Sequence, residues 1–210
     1  HRICPAKSWE EDIIQLYGTV VPGFRMWYSS LDDSTGRSQI LYATSTDGLT
    51  WNKPIINTIG TNALFEGAGA NLVTAIQTPQ FLDSPMKFMV YQNSAFNGYS
   101  SMDGIHTTPY SQNPLYDNGG DVAHFYWDPW KQEYGGAAKE MTIVSGLERR
   151  VIRLMRSPDF VNWTEQSTLI EPDNFDDQDM PDIIPNFYGM PIFPIGEQYL
   201  RSEEHTSELQ

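Results

Sequence analysis

Two aspartates stand where a carboxylate could do acid–base work. Asp121 follows Asp117-Asn118-Gly119-Gly120, a flexible approach to the strand-like run 122–127, and Asp182 holds the matching place ahead of the run 183–190. A carboxylate at the start of a strand can take or give a proton; capping of a turn is the competing use. Asp182 closes an acidic stretch with Asp173, Asp176, Asp177 and Asp179. Such oxygens suit Ca²⁺, but no 12-residue calcium-loop pattern is present, so a solvated loop is the simpler reading and no metal is expected. Arg149 and Arg150 fall in the loop expected before the third strand of their unit, where guanidinium groups bind hydroxyls or pair with an acid, or form an ordinary surface pair. Trp127 and Trp130 flank Asp128-Pro129. Aromatic faces stack on sugar rings, although packing inside a sheet is the commoner use. His124 lies within a strand-like run and reads as a packed histidine before a general base. There is no Gly-rich phosphate loop, no nucleophile elbow and no metal-ligand spacing, so no cofactor is expected.

The elements that would position these groups follow from a repeat. Ser45-Thr46-Asp47-Gly48-Leu49-Thr50-Trp51 returns as Ser101-Met102-Asp103-Gly104-Ile105-His106-Thr107 and as Ser157-Pro158-Asp159-Phe160-Val161-Asn162-Trp163, 56 residues apart each time. The aspartate can bond the amides of its own turn and the glycine relaxes the backbone, so Asp47, Asp103 and Asp159 read as structural. Paired β-rich runs precede each copy: 17–21 and 24–28, 71–76 and 87–91, 122–127 and 133–134. A third run leads into the motif and a fourth follows it, and helical periodicity is absent. Four strands per unit is the arithmetic of a propeller blade. The expected class is all-β: a partial β-propeller over 1–200, with units near 12–56, 70–112, 121–171 and 182–200, about three and a third four-stranded blades of a five-bladed propeller.

Composition agrees. The chain has 210 residues, 13% aromatic, with 16 Gly and 14 Pro spread along it, which suits short strands and tight turns. Its formal charge of −14 disfavours nucleic acid and anionic membrane surfaces as partners and leaves a neutral sugar unhindered. Cys4 is the single cysteine, which excludes an intrachain disulfide. No apolar run approaches the roughly 18 residues of a membrane span. The last ten residues, RSEEHTSELQ, read as the in-frame translation of AGATCGGAAGAGCACACGTCTGAACTCCAG, a sequencing adaptor. Residues 201–210 are therefore expected to be a non-native tail, and the remainder an internal fragment whose compartment the sequence does not give.

The run MWYSSLDDSTGRSQILYATSTDGLTWNKP (26–54) resembles blades of the five-bladed glycosidase propellers of glycoside hydrolase families 32 and 43. The segments FYWDPWKQEYGGAAKE and ERRVIRLMRSPDFVNWTE resemble a third blade of family-32-like proteins. The resemblance spans about Trp9 to Leu200. It implies hydrolysis of glycosidic bonds by paired carboxylates at the starts of successive inner strands, around a central funnel. At the first inner strand the nearest acid is Asp12; at the second it is Glu66, just upstream; at the third, where the resemblance implies Glu, Asp121 stands.

Three functions are therefore carried forward. The first is a carbohydrate-active hydrolase acting on a glycan or oligosaccharide with Asp121, Asp182, Asp12 or Glu66 as catalytic acids and Arg149, Arg150, Trp127 and Trp130 as substrate contacts. The second is a propeller that binds sugar without cutting it, and the third is a protein-interaction propeller, since fold does not fix function.

Overall fold

The computed structural model describes residues 15–32, 37–58, 60–65, 72–78, 80–82, 85–117, 120–173, 176, 184–201 and 204–205. The chain divides into two compact units, 1–114 and 115–210.

The first unit holds two antiparallel sheets. In one, β1 (Gln15–Val21), β2 (Arg25–Asp32), β3 (Arg37–Ser45) and β4 (Trp51–Asn52) lie side by side in chain order, and β5 (Ala63–Phe65) also pairs with β3. In the other, β6 (Leu72–Gln77), β7 (Met86–Gln92), β8 (Ala95–Ser101) and β9 (Thr107–Pro109) do the same. The second strand of each sheet is buried along most of its length, at 26–30 in β2 and 86–90 in β7. A strand covered on both faces has no solvent side to alternate with, so even its polar members, Ser29, Ser30 and Lys87, are buried. Successive residues still part to opposite faces. Trp27 joins Ile40, Tyr42 and Phe88, while Met26 and Tyr28 join Leu41, Ala43 and Ala63. The Trp27 and Phe88 rings meet edge to face at 5.3 Å, an arrangement the ring quadrupoles favour.

The second unit repeats the plan with β10 (Ala123–Asp128), β11 (Glu133–Val144), β12 (Leu147–Ser157) and β13 (Thr164–Ile170). Shorter strands follow. β14 (Phe187–Gly189) pairs with β17 (Glu204–His205), and β15 (Ile192–Ile195) pairs with β16 (Gln198–Arg201). Phe187, Met190 and Ile192 pack with Tyr126, Ala137 and Ile152 of the four-stranded sheet. The strand expected over 183–190 is thus confined to β14, and residues 184–186 ahead of it, including Pro185, are irregular.

The three repeated motifs are one turn built three times. Asp47 Oδ1 accepts from the Leu49 and Thr50 amides, both at 2.8 Å. Asp103 Oδ1 accepts from Ile105 and His106, also at 2.8 Å, and Asp159 Oδ1 from Val161 at 2.9 Å and Asn162 at 2.8 Å. The residue after each aspartate is left-handed: Gly48 at φ 74°, Gly104 at φ 80° and Phe160 at φ 72°. Phe160 accepts the strain an L side chain meets there because its ring is fully buried, 5.2 Å from Tyr134 and 5.9 Å from Trp163.

One expectation is corrected. Arg149 and Arg150 do not lie in a loop. They belong to β12, because the β11–β12 hairpin runs on to a tight turn at Ser145-Gly146, both at positive φ (52° and 83°), with Val144 opposite Leu147.

Candidate functional site

Asp121 stands just ahead of β10. The Gly120 amide donates to Lys139 O at 2.6 Å and the Lys139 amide to Val122 O at 2.9 Å, extending the ladder one step beyond Ala123. The backbone therefore fixes Asp121 level with Lys139 of β11. The Lys139 ammonium, with only 9% of its side chain exposed, forms an ion pair with Asp121 Oδ1. Burying an ammonium is costly without a counter-ion, and Asp121 supplies it. The Asp121 side chain itself remains 46% exposed, so its carboxylate is still within reach of a ligand.

Tyr188 of β14 completes the cluster. Lys139 Nζ lies 4.2 Å from its ring centroid and Arg150 Cζ 5.3 Å from it, both within cation–π range. Asn186 ties the segment before β14 to β12: its Oδ1 accepts from the Arg150 amide at 2.8 Å, and its Nδ2 donates to Ile184 O at 2.8 Å. Arg149, next along β12, is buried with 1% of its surface exposed, an interior cation and not a surface one. One end of the sheet thus gathers Asp121, Lys139, Arg150, Asn186 and Tyr188. A carboxylate, two cations, an amide and an aromatic ring are the groups that hydrogen-bond and stack on polyhydroxylated ligands.

The structure separates the tryptophans from this cluster. Trp127 packs on Tyr134 at 4.7 Å, and Trp130 is 63% exposed beyond the far end of β10. At about 3.3 Å per residue, the six residues of β10 put that end roughly 20 Å from Asp121. Asp128, between the tryptophans, is fully buried and accepts from the Trp130 and Lys131 amides at 3.0 Å each. Its other oxygen receives the Tyr199 hydroxyl and lies 3.6 Å from Arg156. Burial pushes its carboxyl up; the Tyr199 hydroxyl, the two amides and Arg156 outweigh that and leave it below the usual carboxylate range. His124 is packed in the strand, as expected. Burial holds its imidazole down at about 4, and Nδ1 accepts the Ile192 amide at 3.2 Å.

Asp12, Glu66 and Asp182 lie outside the described residues. Among the described residues no three His, Cys, Asp or Glu side chains group as a metal site. Lys139, Tyr188 and Asn186 were not singled out from sequence. The one available signal was a lysine within the small and apolar run GGAAKE, where a charge demands a partner.

No protein-family model and no curated protein matches the sequence. Solved structures do. A Bombyx mori GH32 β-fructofuranosidase, BmSUC1, superposes with a TM-score of 0.62 at 15% identity, over 92% of this chain and 42% of its own. A structure of the GH130 family, mannoside phosphorylases that include glycoside hydrolases targeting β-1,2 mannosidic linkages in Candida mannan, gives 0.52 at 13% identity, over 86% and 58%. A Bacteroides ovatus glycosyl hydrolase gives 0.51 at 15% identity, over 77% and 50%. The chain thus spans well under two thirds of the length of each. Its all-β architecture of four-stranded antiparallel sheets is the fold of the glycoside-hydrolase β-propellers.

Proposed function

We propose that this chain is part of a carbohydrate-active glycoside hydrolase. It would cleave a glycosidic bond of a glycan or oligosaccharide with paired carboxylates gathered at the starts of the inner strands of a five-bladed propeller. The observation that carries this reading is Asp121: a half-exposed carboxylate at the start of β10, held by a buried lysine beside Arg150 and Tyr188. Asp121 acts as one carboxylate. Asp182, Glu66 and Asp12 are the candidates for its partner, which must lie about 5–10 Å away for retaining or inverting hydrolysis. Arg150 and Tyr188 contact the sugar, and Lys139 positions Asp121. The structural neighbours named as glycoside hydrolases support the substrate class.

The test is a panel of aryl glycosides, run on this chain and on longer forms that contain it, beside Asp121→Asn. Loss of a single carboxylate that touches the reacting atoms lowers kcat/KM by about 100-fold or more. Turnover unchanged in Asp121→Asn removes Asp121 from the mechanism. Sugar binding without turnover by any form replaces hydrolysis with carbohydrate binding.

A further inference from the structure

His124 ties β10 to β15, where the neighbouring contacts are apolar; farther along β10 the Tyr199 hydroxyl of β16 donates to Asp128. His124 Nδ1 accepts the Ile192 amide at 3.2 Å, so the ring proton of the neutral imidazole sits on Nε2. This bond crosses from β10, in the four-stranded sheet, to β15. The surroundings are poor in charge. On β10 itself the facing titratable group is Tyr126, whose ring stacks at 6.2 Å and whose hydroxyl burial pushes up to about 12. From β15 come the Ile192 amide and the Phe193 ring at 5.4 Å, and from β11 Ala137 stands opposite in register. From β16, Tyr199 reaches Tyr126 at 6.4 Å. The carboxylate on this face of β10 is Asp128, four residues and about 13 Å along the strand from His124, and it is already engaged by the Tyr199 hydroxyl, the Trp130 and Lys131 amides and Arg156.

We propose that His124 is a pH-sensitive latch that docks residues 187–201 on the inner strand of the second unit while its ring is neutral and releases them when Nδ1 is protonated. The mechanism is a reversal of hydrogen-bond sense. A protonated Nδ1 becomes a donor facing the Ile192 donor, so the bond is lost and a charge appears in a half-buried, largely apolar contact. The latched segment carries Tyr188, and Asn186 precedes it. Release therefore takes the aromatic ring and the Arg150-bound amide away from Lys139 and Asp121. In that respect the inference rests on the site proposed above, but its readout needs no activity.

The experiment is hydrogen exchange on the whole chain, followed at Ile192 and across 187–201 and corrected for intrinsic rates. With a folded value of about 4 against an ordinary 6.5, linkage makes opening about 40-fold more favourable at pH 4.5 than at pH 6.5. In His124→Asn, whose amide oxygen can accept but does not titrate, the change is expected to fall below about 2-fold. Equal pH dependence in both proteins overturns the latch, as does joint loss of protection in β10, β11 and β12 with 187–201. Should the variant fail to fold, nitrogen NMR of the wild-type ring decides: a titration of His124 that leaves Ile192 protected overturns it equally.

Discussion

Gly104 is the residue at which the repeated turn tolerates least. Its φ of 80° is left-handed, and a Cβ built there would lie 2.8 Å from Trp27 Cζ2 and closer still to the Arg25 guanidinium. Both side chains are engaged: Trp27 Nε1 donates to Gly104 O at 2.9 Å, and Arg25 donates to Asp103 O. Gly104→Ala therefore meets two costs. The left-handed backbone costs an L residue about 1–2 kcal/mol. Crowding against a fully buried Trp27, with its hydrogen bond to Gly104 disturbed, adds about 2–3 kcal/mol. Gly23 provides the control, since its φ is 84° but nothing lies within 4 Å of its Cβ position. Gly23→Ala should thus show the backbone cost alone, about 1–2 kcal/mol. Urea unfolding followed by tryptophan fluorescence separates the two, because Trp27 reports on the crowded site. Equal losses in the two variants would refute the argument that the turn is fastened through Trp27 and Arg25.

Two other perturbations bear on the same framework. Tyr199→Phe removes the hydroxyl from the buried Asp128 carboxylate and should cost about 1–3 kcal/mol in thermal unfolding; an unchanged melting temperature would show that Arg156 and the two amides satisfy Asp128 alone. Burial raises the Asp159 carboxyl, but the Asn162 amide and side chain and the Val161 amide outweigh it and hold it below the ordinary range. A carboxylate with a lowered folded value stabilises above its unfolded value, and that contribution fades as pH falls through the folded one. Asp159→Asn should therefore flatten the acid limb of stability against pH measured by chemical denaturation, and an unaltered limb would show that Asp159 adds nothing to it.

The framework was legible in the sequence because the forces behind it are local. Asp47-Gly48 and Asp103-Gly104 bond their own amides within three residues, so turn chemistry alone announces them, and the β-rich runs around Trp27 and Phe88 announce strands. Phe160 shows where that logic ends: its residue type does not favour positive φ, and burial against Tyr134 and Trp163, with the Trp163 Nε1 bond to Phe160 O at 2.8 Å, adds to the Asp159 turn in holding it there. The site was harder to read. Lys139 reaches Asp121 across 18 residues and Tyr188 comes from a separate strand, contacts that only the completed sheet creates. Arg149 and Arg150 were misplaced for a related reason: a charged pair beside a turn looks solvated until packing buries one of them.

The three hairpins joining second and third strands differ in reach. Their strands are 8 and 9 residues long in β2–β3, 7 and 7 in β7–β8, and 12 and 11 in β11–β12, yet all three finish in the same aspartate turn. Each sheet is thus anchored at one margin and free to lengthen at the other. Protein engineers who wish to graft recognition loops onto this scaffold should splice them at Asn93-Ser94 or Ser145-Gly146, where an insertion leaves the anchored margin intact.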